Sequence, residues 1–331
     1  MEYKPFGTTN VRIPVVSFGA WAIGGWLWGG TDDEQAKRAI QRAIDLGVTC
    51  IDTAPIYGFG HSETVVGEAI HDKRDQVFIA TKCGLRWDVD EGEFFFDTTD
   101  RNGNPLKVYK NLRPASIRKE CENSLRRLKV DVIDLYQCHW PDKTTPLDDT
   151  MSALLSLQKE GKIRYIGVSN FTVEMMRTCL KKGRIESNQP KYNALEREIE
   201  VEILPFCQEN NISVLAYSPI AQGLLTGKVT LDREFPQGDL RRDKAMFSTV
   251  NRRRVLNMLE RVKPIAEGYG ITLGQLFIAW TVHQPGITSA LVGARNESQV
   301  EENARAGSVK LTSSDLHEIR KALEEMEPLQ L

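Results

Sequence analysis

Eight short runs of β-forming residues recur along the 331-residue chain, with helical stretches between them. They fall at Val15 to Phe18, Thr49 to Asp52, Val77 to Lys82, Val132 to Tyr136, Tyr165 to Ser169, Ser187 to Pro190, Ser213 to Tyr217 and Ser289 to Val292. Several, such as Val77-Phe78-Ile79-Ala80, are apolar almost without interruption, as parallel strands buried on both faces must be. Strands alternating with helices around a parallel sheet admit a (β/α)8 barrel or a doubly wound sheet. A dinucleotide-binding doubly wound sheet carries G-x-G-x-x-G at its first turn, whereas this chain reads Gly19-Ala20-Trp21-Ala22-Ile23-Gly24-Gly25. The sequence therefore predicts an α/β protein, a (β/α)8 TIM barrel, as one domain over residues 1–331. Strand-like residues at Tyr3 to Phe6 and Val11 to Pro14 predict an N-terminal β-hairpin plugging the barrel's bottom. The stripe Leu316, Ile319, Leu323, Met326 predicts an extra C-terminal helix.

Helix ends are marked by repeated punctuation. Gly47, Gly161 and Gly183 each follow an amphipathic stretch and precede a strand, and each is expected to take the left-handed cap conformation. Capping boxes are expected at Thr31-x-x-Glu34, Thr272-x-x-Gln275 and Asn296-x-x-Gln299, with Pro114 in a first helical turn. Two longer loops break the rhythm, about 88–111 after the third strand and about 218–249 after the seventh. Both follow strand C-termini, the face where barrel active sites form. In the first, Glu93-Phe94-Phe95-Phe96-Asp97 and Pro105 to Tyr109 flank Asn102-Gly103, which predicts a β-hairpin. Its three phenylalanines are expected to pack against the barrel mouth, a partner subunit or a bound substrate.

Composition removes several functional classes. Lys+Arg 43 against Asp+Glu 45 gives a net charge of -2, without the basic footprint that nucleic acid or an anionic membrane requires. No stretch is apolar enough to span a bilayer, and the N-terminus lacks a secretory pattern, so the cytoplasm is expected. Six scattered cysteines without CxxC or CxxH spacing argue against a metal site and a redox dithiol. A small-molecule substrate is left as the expected partner, with a homo-oligomer possible.

Polar residues at strand ends single out Asp52, Lys82 and His139, with Tyr57 five residues past Asp52. Barrel geometry brings such tips together around the axis. Each alone has a bland role in capping or packing, but Lys82 ends an apolar run, points into a closing barrel and needs a counter-charge. Asp52 is the natural one. Phenols are weak acids near neutrality, and a cation about 4 Å away is worth about 3 pK units. Lys82 is therefore expected to acidify Tyr57, with Asp52 orienting the lysine and His139 hydrogen-bonding the reacting oxygen. Trp21, Trp26, Trp28, Trp87 and Trp140 fall in loops after strands and are expected to wall a substrate pocket, while Trp280 reads as core.

The motifs Ile51-Asp52-Thr53-Ala54-x-x-Tyr57-Gly58, Thr81-Lys82, Asp134-Leu135-Tyr136-x-x-His139-Trp140-Pro141-Asp142 and Gly161-Lys162-Ile163-Arg164-x-Ile166-Gly167-Val168-Ser169-Asn170-Phe171 resemble the aldo-keto reductase family. The likeness points to members related to bacterial stress reductases and potassium-channel β-subunits, and it runs from Val11 to about Met326. It implies a catalytic tetrad of Asp52, Tyr57, Lys82 and His139 and an NADPH cofactor extended across the strand C-termini, NADH being less favoured. By the same resemblance Ser169, Asn170 and Gln189 meet the nicotinamide carboxamide and Tyr217 stacks under its ring, with Ala20, Trp21 and Asp52 also at the cofactor. Ser218, Pro219, Ile220, Gln222, Gly223, Leu225 and Lys228 resemble a pyrophosphate-cradling loop. Gly293, Ala294, Arg295, Gln299, Glu302 and Asn303 resemble an adenosine 2′-phosphate site, in which Gly293 and Gln299 replace a lysine and a second arginine.

The expected activity is reduction of aldehydes and ketones to alcohols with Tyr57 as proton donor. The alternatives are an alcohol or polyol dehydrogenase working in the oxidative direction, and a channel β-subunit-like redox-sensing module. That last branch carries asparagine where this chain has His139. A Schiff-base barrel enzyme using Lys82 is a further reading.

Overall fold

The computed structural model describes residues 1–28 and 30–331. An antiparallel hairpin, β1 (Tyr3–Pro5) and β2 (Arg12–Pro14), precedes the barrel strands. These are β3 (Val16–Gly19), β4 (Cys50–Asp52), β5 (Phe78–Cys83), β9 (Ile133–Cys138), β10 (Ile163–Ser169), β11 (Ser187–Gln189), β12 (Ser213–Tyr217) and β13 (Ile287–Gly293). They close in chain order, all parallel, with β13 returning to β3. Between β5 and β9 lie β6 (Leu85–Arg86), β7 (Glu93–Thr99) and β8 (Pro105–Lys110), which form a separate antiparallel sheet. The barrel is the (β/α)8 fold expected of the sequence.

Helices α1 (Asp33–Asp45), α2 (His61–Ala69), α3 (Pro114–Leu128), α4 (Leu147–Lys159), α5 (Val173–Lys182) and α6 (Ile203–Glu209) follow successive barrel strands. After β12 come α7 (Thr249–Gly268) and α8 (Leu273–His283); α9 (Glu297–Ala306) follows β13, and α10 (Ser313–Glu324) packs on α7. The hairpin closes the amino-terminal end because Phe6 and Ile13, both fully buried, join Cys50, Ala80, Leu135 and Leu215 inside the barrel. Phe6 meets Phe78 edge-on at 5.1 Å, and Ser213 Oγ accepts from Gly7 N at 2.8 Å.

Helix punctuation follows the sequence with three corrections. Gly47 and Gly161 take positive φ, but Gly183 is extended at φ -174°. A Cβ there would sit 2.9 Å from the Leu155 side chain, so this glycine serves close approach rather than a left-handed cap. Helix α1 is capped by Asp32, whose carboxylate accepts from Gln35 N at 2.9 Å, instead of by Thr31. Aspartate accepts that bond as well as threonine does. At α9, Asn296 caps Gln299 N, but Gln299 Oε1 turns back to Arg295 N at 2.8 Å, so only half of the box forms. The Thr272–Gln275 box is complete.

The hairpin β7–β8 lies over the barrel mouth, and its register slips between Phe94 and Phe96. A bulge of this kind sets two residues against one and breaks the in-out alternation. Phe95 and Phe96 therefore both turn inward, while Phe94 stays 51% exposed against Tyr109. Of the three phenylalanines, Phe95 and Phe96 pack against the barrel mouth as expected, and Phe94 does not.

Candidate active site

Register places the key side chains at one level. Asp52 ends β4 beside Ala80, and Lys82 on β5 faces Gln137 on β9, two residues before His139. In adjacent parallel strands, registered residues point the same way, and here they point inward. Tyr57 arrives from the turn after β4, whose path depends on a tight crossing: a Cβ on Gly24 would lie 2.6 Å from the Tyr57 carbonyl carbon.

Lys82 is 0% exposed, and its ammonium has three partners. Nζ donates to Asp52 Oδ2 at 2.6 Å, to the Thr53 carbonyl at 3.0 Å and to the Tyr57 hydroxyl oxygen at 3.3 Å. Three donors meet three acceptors, which satisfies a buried cation. The His139 ring stands edge-on to Tyr57 at 5.8 Å, and Trp21 stacks on the other side at 6.0 Å.

Burial dominates the protonation of these groups. It pushes the Tyr57 phenol well above its ordinary value, and the Asp52 carboxylate adds to the rise. It holds His139 well below the ordinary imidazole value, with the Lys82 cation acting the same way. Lys82 itself is lowered by burial against the opposing pull of Asp52. The expectation that Lys82 acidifies Tyr57 is thus reversed in direction. Burial and the Asp52 charge outweigh the cation, because the phenol loses the water that would stabilise a phenolate.

These groups lie at the floor of a cleft of about 1000 Å³ over the C-terminal ends of the strands. One half is apolar, walled by Trp21, Trp26, Trp28, Ile56, Leu85, Phe95, Phe96 and Trp140. Trp26 stacks on Phe96 and donates its indole N–H to Thr98 at 3.1 Å, which ties the loop after β3 to the hairpin. Trp87 does not line the cleft; it packs on Phe59 at 5.4 Å. Trp280 lies in the core.

The other half is polar. Ser169, Asn170 and Gln189 converge there: Ser169 Oγ donates to the Gln189 carbonyl at 2.7 Å, and the Tyr217 hydroxyl donates to Asn170 Oδ1 at 3.0 Å. Ser218, Pro219, Ile220, Gln222, Gly223 and Lys228 continue the wall, and Gly293, Ala294, Arg295, Gln299, Glu302 and Asn303 complete it. Positive φ at Ser218, Ala221, Gln222 and Gly223 curls the backbone of this loop. Two expected residues stand elsewhere: Leu225 is sealed in the main core, and Ala20 is buried with its N–H on the Asp52 carbonyl at 2.8 Å.

Arg233, Arg241 and Lys244 also line this half, beside Lys228 and Arg295. They had no place among the expected site residues; the basic stretch Arg241-Arg242-Asp243-Lys244 was the available signal. Arg241 is paired with Asp239 at 2.6 Å and Lys228 with Glu302 at 3.0 Å, whereas the Arg295 side chain meets the Trp28 carbonyl at 3.2 Å. A run of cations beside an open backbone turn fits an extended polyanion, and the amides next to Tyr217 fit a flat polar ring.

The family model described as "Aldo/keto reductase family" matches residues 15–324. The chain is 40% identical to the NADH-specific methylglyoxal reductase of Escherichia coli (strain K12), over 99% of this chain and 100% of that protein. It is 31% identical to the aldo-keto reductase yakc [NADP(+)] of Schizosaccharomyces pombe, over 96% of this chain and 91% of that one. Its fold superposes with a TM-score of 0.89 on the glycerol dehydrogenase AKR11B4 from Gluconobacter oxydans, at 39% identity and covering 99% and 97% of the two chains. Strand order, strand-end residues and a match from the first barrel strand to the last helix lead to one assignment: the chain belongs to the aldo/keto reductase family.

Proposed function

We propose that this protein is an NADPH-dependent reductase that converts aldehydes or ketones to alcohols, with Tyr57 as the proton donor. The seating of Lys82 carries the reading. Because Nζ donates to the phenol oxygen, the phenol's own hydrogen is left to point into the cleft, where a carbonyl oxygen can receive it. As charge develops on that phenol oxygen, the ammonium at 3.3 Å stabilises it, and Asp52 holds the ammonium in place. Neutral His139, whose ring lies 5.8 Å from that of Tyr57, offers a ring N–H to the same carbonyl oxygen.

When bound, the reduced nicotinamide supplies a hydride to the carbonyl carbon. Ser169, Asn170 and Gln189 would hold its carboxamide and Tyr217 its ring face. The loop Ser218 to Gly223, with Lys228, would take the pyrophosphate, and Arg295 at the start of α9 the 2′-phosphate. Arg295, which has no carboxylate partner among the described residues and meets only the Trp28 carbonyl, supports NADPH. A relative that is named NADH-specific keeps NADH in view as a weaker donor.

The oxidative direction uses the same site, and the likeness to a glycerol dehydrogenase favours it as a second reading. It asks the phenol to give up its proton before it can accept one from the alcohol, which burial of Tyr57 opposes. The six cysteines are buried and unpaired among the described residues, in keeping with a reducing compartment such as the cytoplasm.

Purified protein incubated with NADPH or NADH and a panel of aldehydes, ketones, sugars and polyols tests the proposal. Carbonyl-dependent oxidation of NADPH is the expected result. Covalent trapping of a carbonyl substrate on Lys82 by borohydride would instead place the protein among Schiff-base enzymes.

A further inference from the structure

Beneath the proposed tetrad the barrel holds a second polar layer. Gln137 is 0% exposed and sits on β9 in register with Lys82 on one side and Gly167 on the other. Its Nε2 donates to Asp52 Oδ1 at 3.3 Å. Gln189 Nε2 donates to the same oxygen at 2.8 Å and to Gln137 Oε1 at 3.3 Å. The three side chains close a triangle, and each oxygen of the Asp52 carboxylate has its own task. Oδ1 takes the two amides, and Oδ2 takes Lys82.

Gly167 supplies the room. A Cβ there would stand 2.9 Å from Gln137 Cγ and 2.5 Å from Ser187 Oγ, so a side chain at this position would displace the Gln137 stem. Both hydrogens of the Gln189 NH2 are spent inside the barrel, which turns its Oε1 outward as an acceptor. Gln137 itself does not line the cleft.

We propose that Gln137 is a positioning residue for the reaction: with Gln189 it locks the Asp52 carboxylate so that Oδ2 keeps Lys82 aimed at Tyr57. The assignment rests on the reductase reading for its effect on turnover, but its geometry can be tested without turnover. Loss of the Gln137 amide frees Asp52 to rotate and removes the acceptor that fixes Gln189. Two parts of the site loosen through a residue that touches neither substrate nor nucleotide.

The test compares intact wild type with Gln137→Met, which keeps the volume and removes the polar group, and Gln137→Glu, which keeps the acceptor and removes the donor when ionised. The first readout is hydrogen exchange of the Gln189 side-chain NH2, followed by NMR of 15N-labelled protein. Gln137→Met is expected to speed it at least about tenfold as both bonds lose their fixed geometry. The second is the pH dependence of kcat with NADPH and an aldehyde. Gln137→Met should lower kcat by about tenfold or more, and Gln137→Glu should lose activity progressively as pH rises and its carboxylate ionises beside Asp52. Fluorescence titration should place the NADPH dissociation constant of both variants within about threefold of wild type, since the phosphate contacts are untouched.

Unchanged amide exchange in Gln137→Met overturns the proposal. So does faster exchange accompanied by wild-type kcat and pH profile, since the layer would then be structural only. If Gln137→Met fails to fold, a Gln137→Glu profile superimposable on wild type overturns it equally. A wild-type protein that reduces no carbonyl defeats the reductase reading instead, and amide exchange then decides the triangle alone.

Discussion

Lys82→Met removes the cation that touches both Asp52 and Tyr57. At 3.3 Å and an effective dielectric of about 20, a unit charge stabilises a fully developed phenolate by about 5 kcal/mol, and a half-developed one by about 2.5 kcal/mol. Converted at about 1.36 kcal/mol per tenfold, kcat should fall by roughly 10²- to 10⁴-fold. A second penalty falls on stability. Asp52, only 3% exposed, keeps its amides on Oδ1 but loses its counter-ion, and breaking a buried pair from one side costs about 3–5 kcal/mol. Steady-state reduction of an aldehyde by NADPH and thermal unfolding measure the two effects on the same samples. Adding Asp52→Asn to Lys82→Met removes the orphaned carboxylate, so it should recover much of the lost Tm without recovering kcat. A Lys82→Met protein with kcat within tenfold of wild type would refute the reasoning, as would a double variant in which kcat returns together with Tm.

Further outcomes follow from the same geometry. Because burial raises Tyr57 and lowers His139, the acid stays loaded and the imidazole neutral between their ordinary values, about 6.5 and about 10. The rate of reduction should therefore stay level over that range; a descending limb near neutrality in the kcat profile would show a phenol that is not raised. Arg295→Ala should weaken NADPH by about 1.5 to 3 kcal/mol, the worth of a hydrogen bond to a charged group, and leave NADH within about twofold. Parallel fluorescence titrations distinguish this from equal losses, which would move Arg295 off the 2′-phosphate. Replacing residues 93–109 by a glycine-serine link removes Phe95 and Phe96 from the cleft wall and unties Trp26. It should raise KM for bulky carbonyls several-fold with NADPH affinity unchanged, and kinetics across a substrate panel would show whether the hairpin is merely structural.

Much of this arrangement was legible in the sequence because parallel strands leave a strong signal. Runs such as Val77 to Ala80 must be apolar on both faces, and the polar residue that ends such a run stands out against them. Asp52, Lys82 and His139 were found in this way, and the eight strands with them. Less was visible where neighbours decide. Thr31 and Asp32 are both good caps, and only the path of the chain selects Asp32. Gly183 reads as a left-handed cap until Leu155 is seen beside it. Three consecutive phenylalanines give no hint of a bulge, which arises from the pairing of β7 with β8. Gln137 carries no such signal, since its partners Asp52 and Gln189 lie 85 and 52 residues away. The sign of the Tyr57 shift is not legible in the sequence, because a counter-charge shows in the residue pattern whereas the extent of desolvation depends on the packed site.

Proton donation by Tyr57 is most directly tested by single-turnover hydride transfer in Tyr57→Phe, followed through the nicotinamide absorbance with saturating NADPH and an aldehyde. A positioned acid contributes about 10²- to 10⁴-fold, so the transfer rate should drop by that factor while the NADPH dissociation constant stays within about threefold of wild type. A transfer rate within about threefold of wild type would contradict the assignment and move proton donation to another group in the cleft.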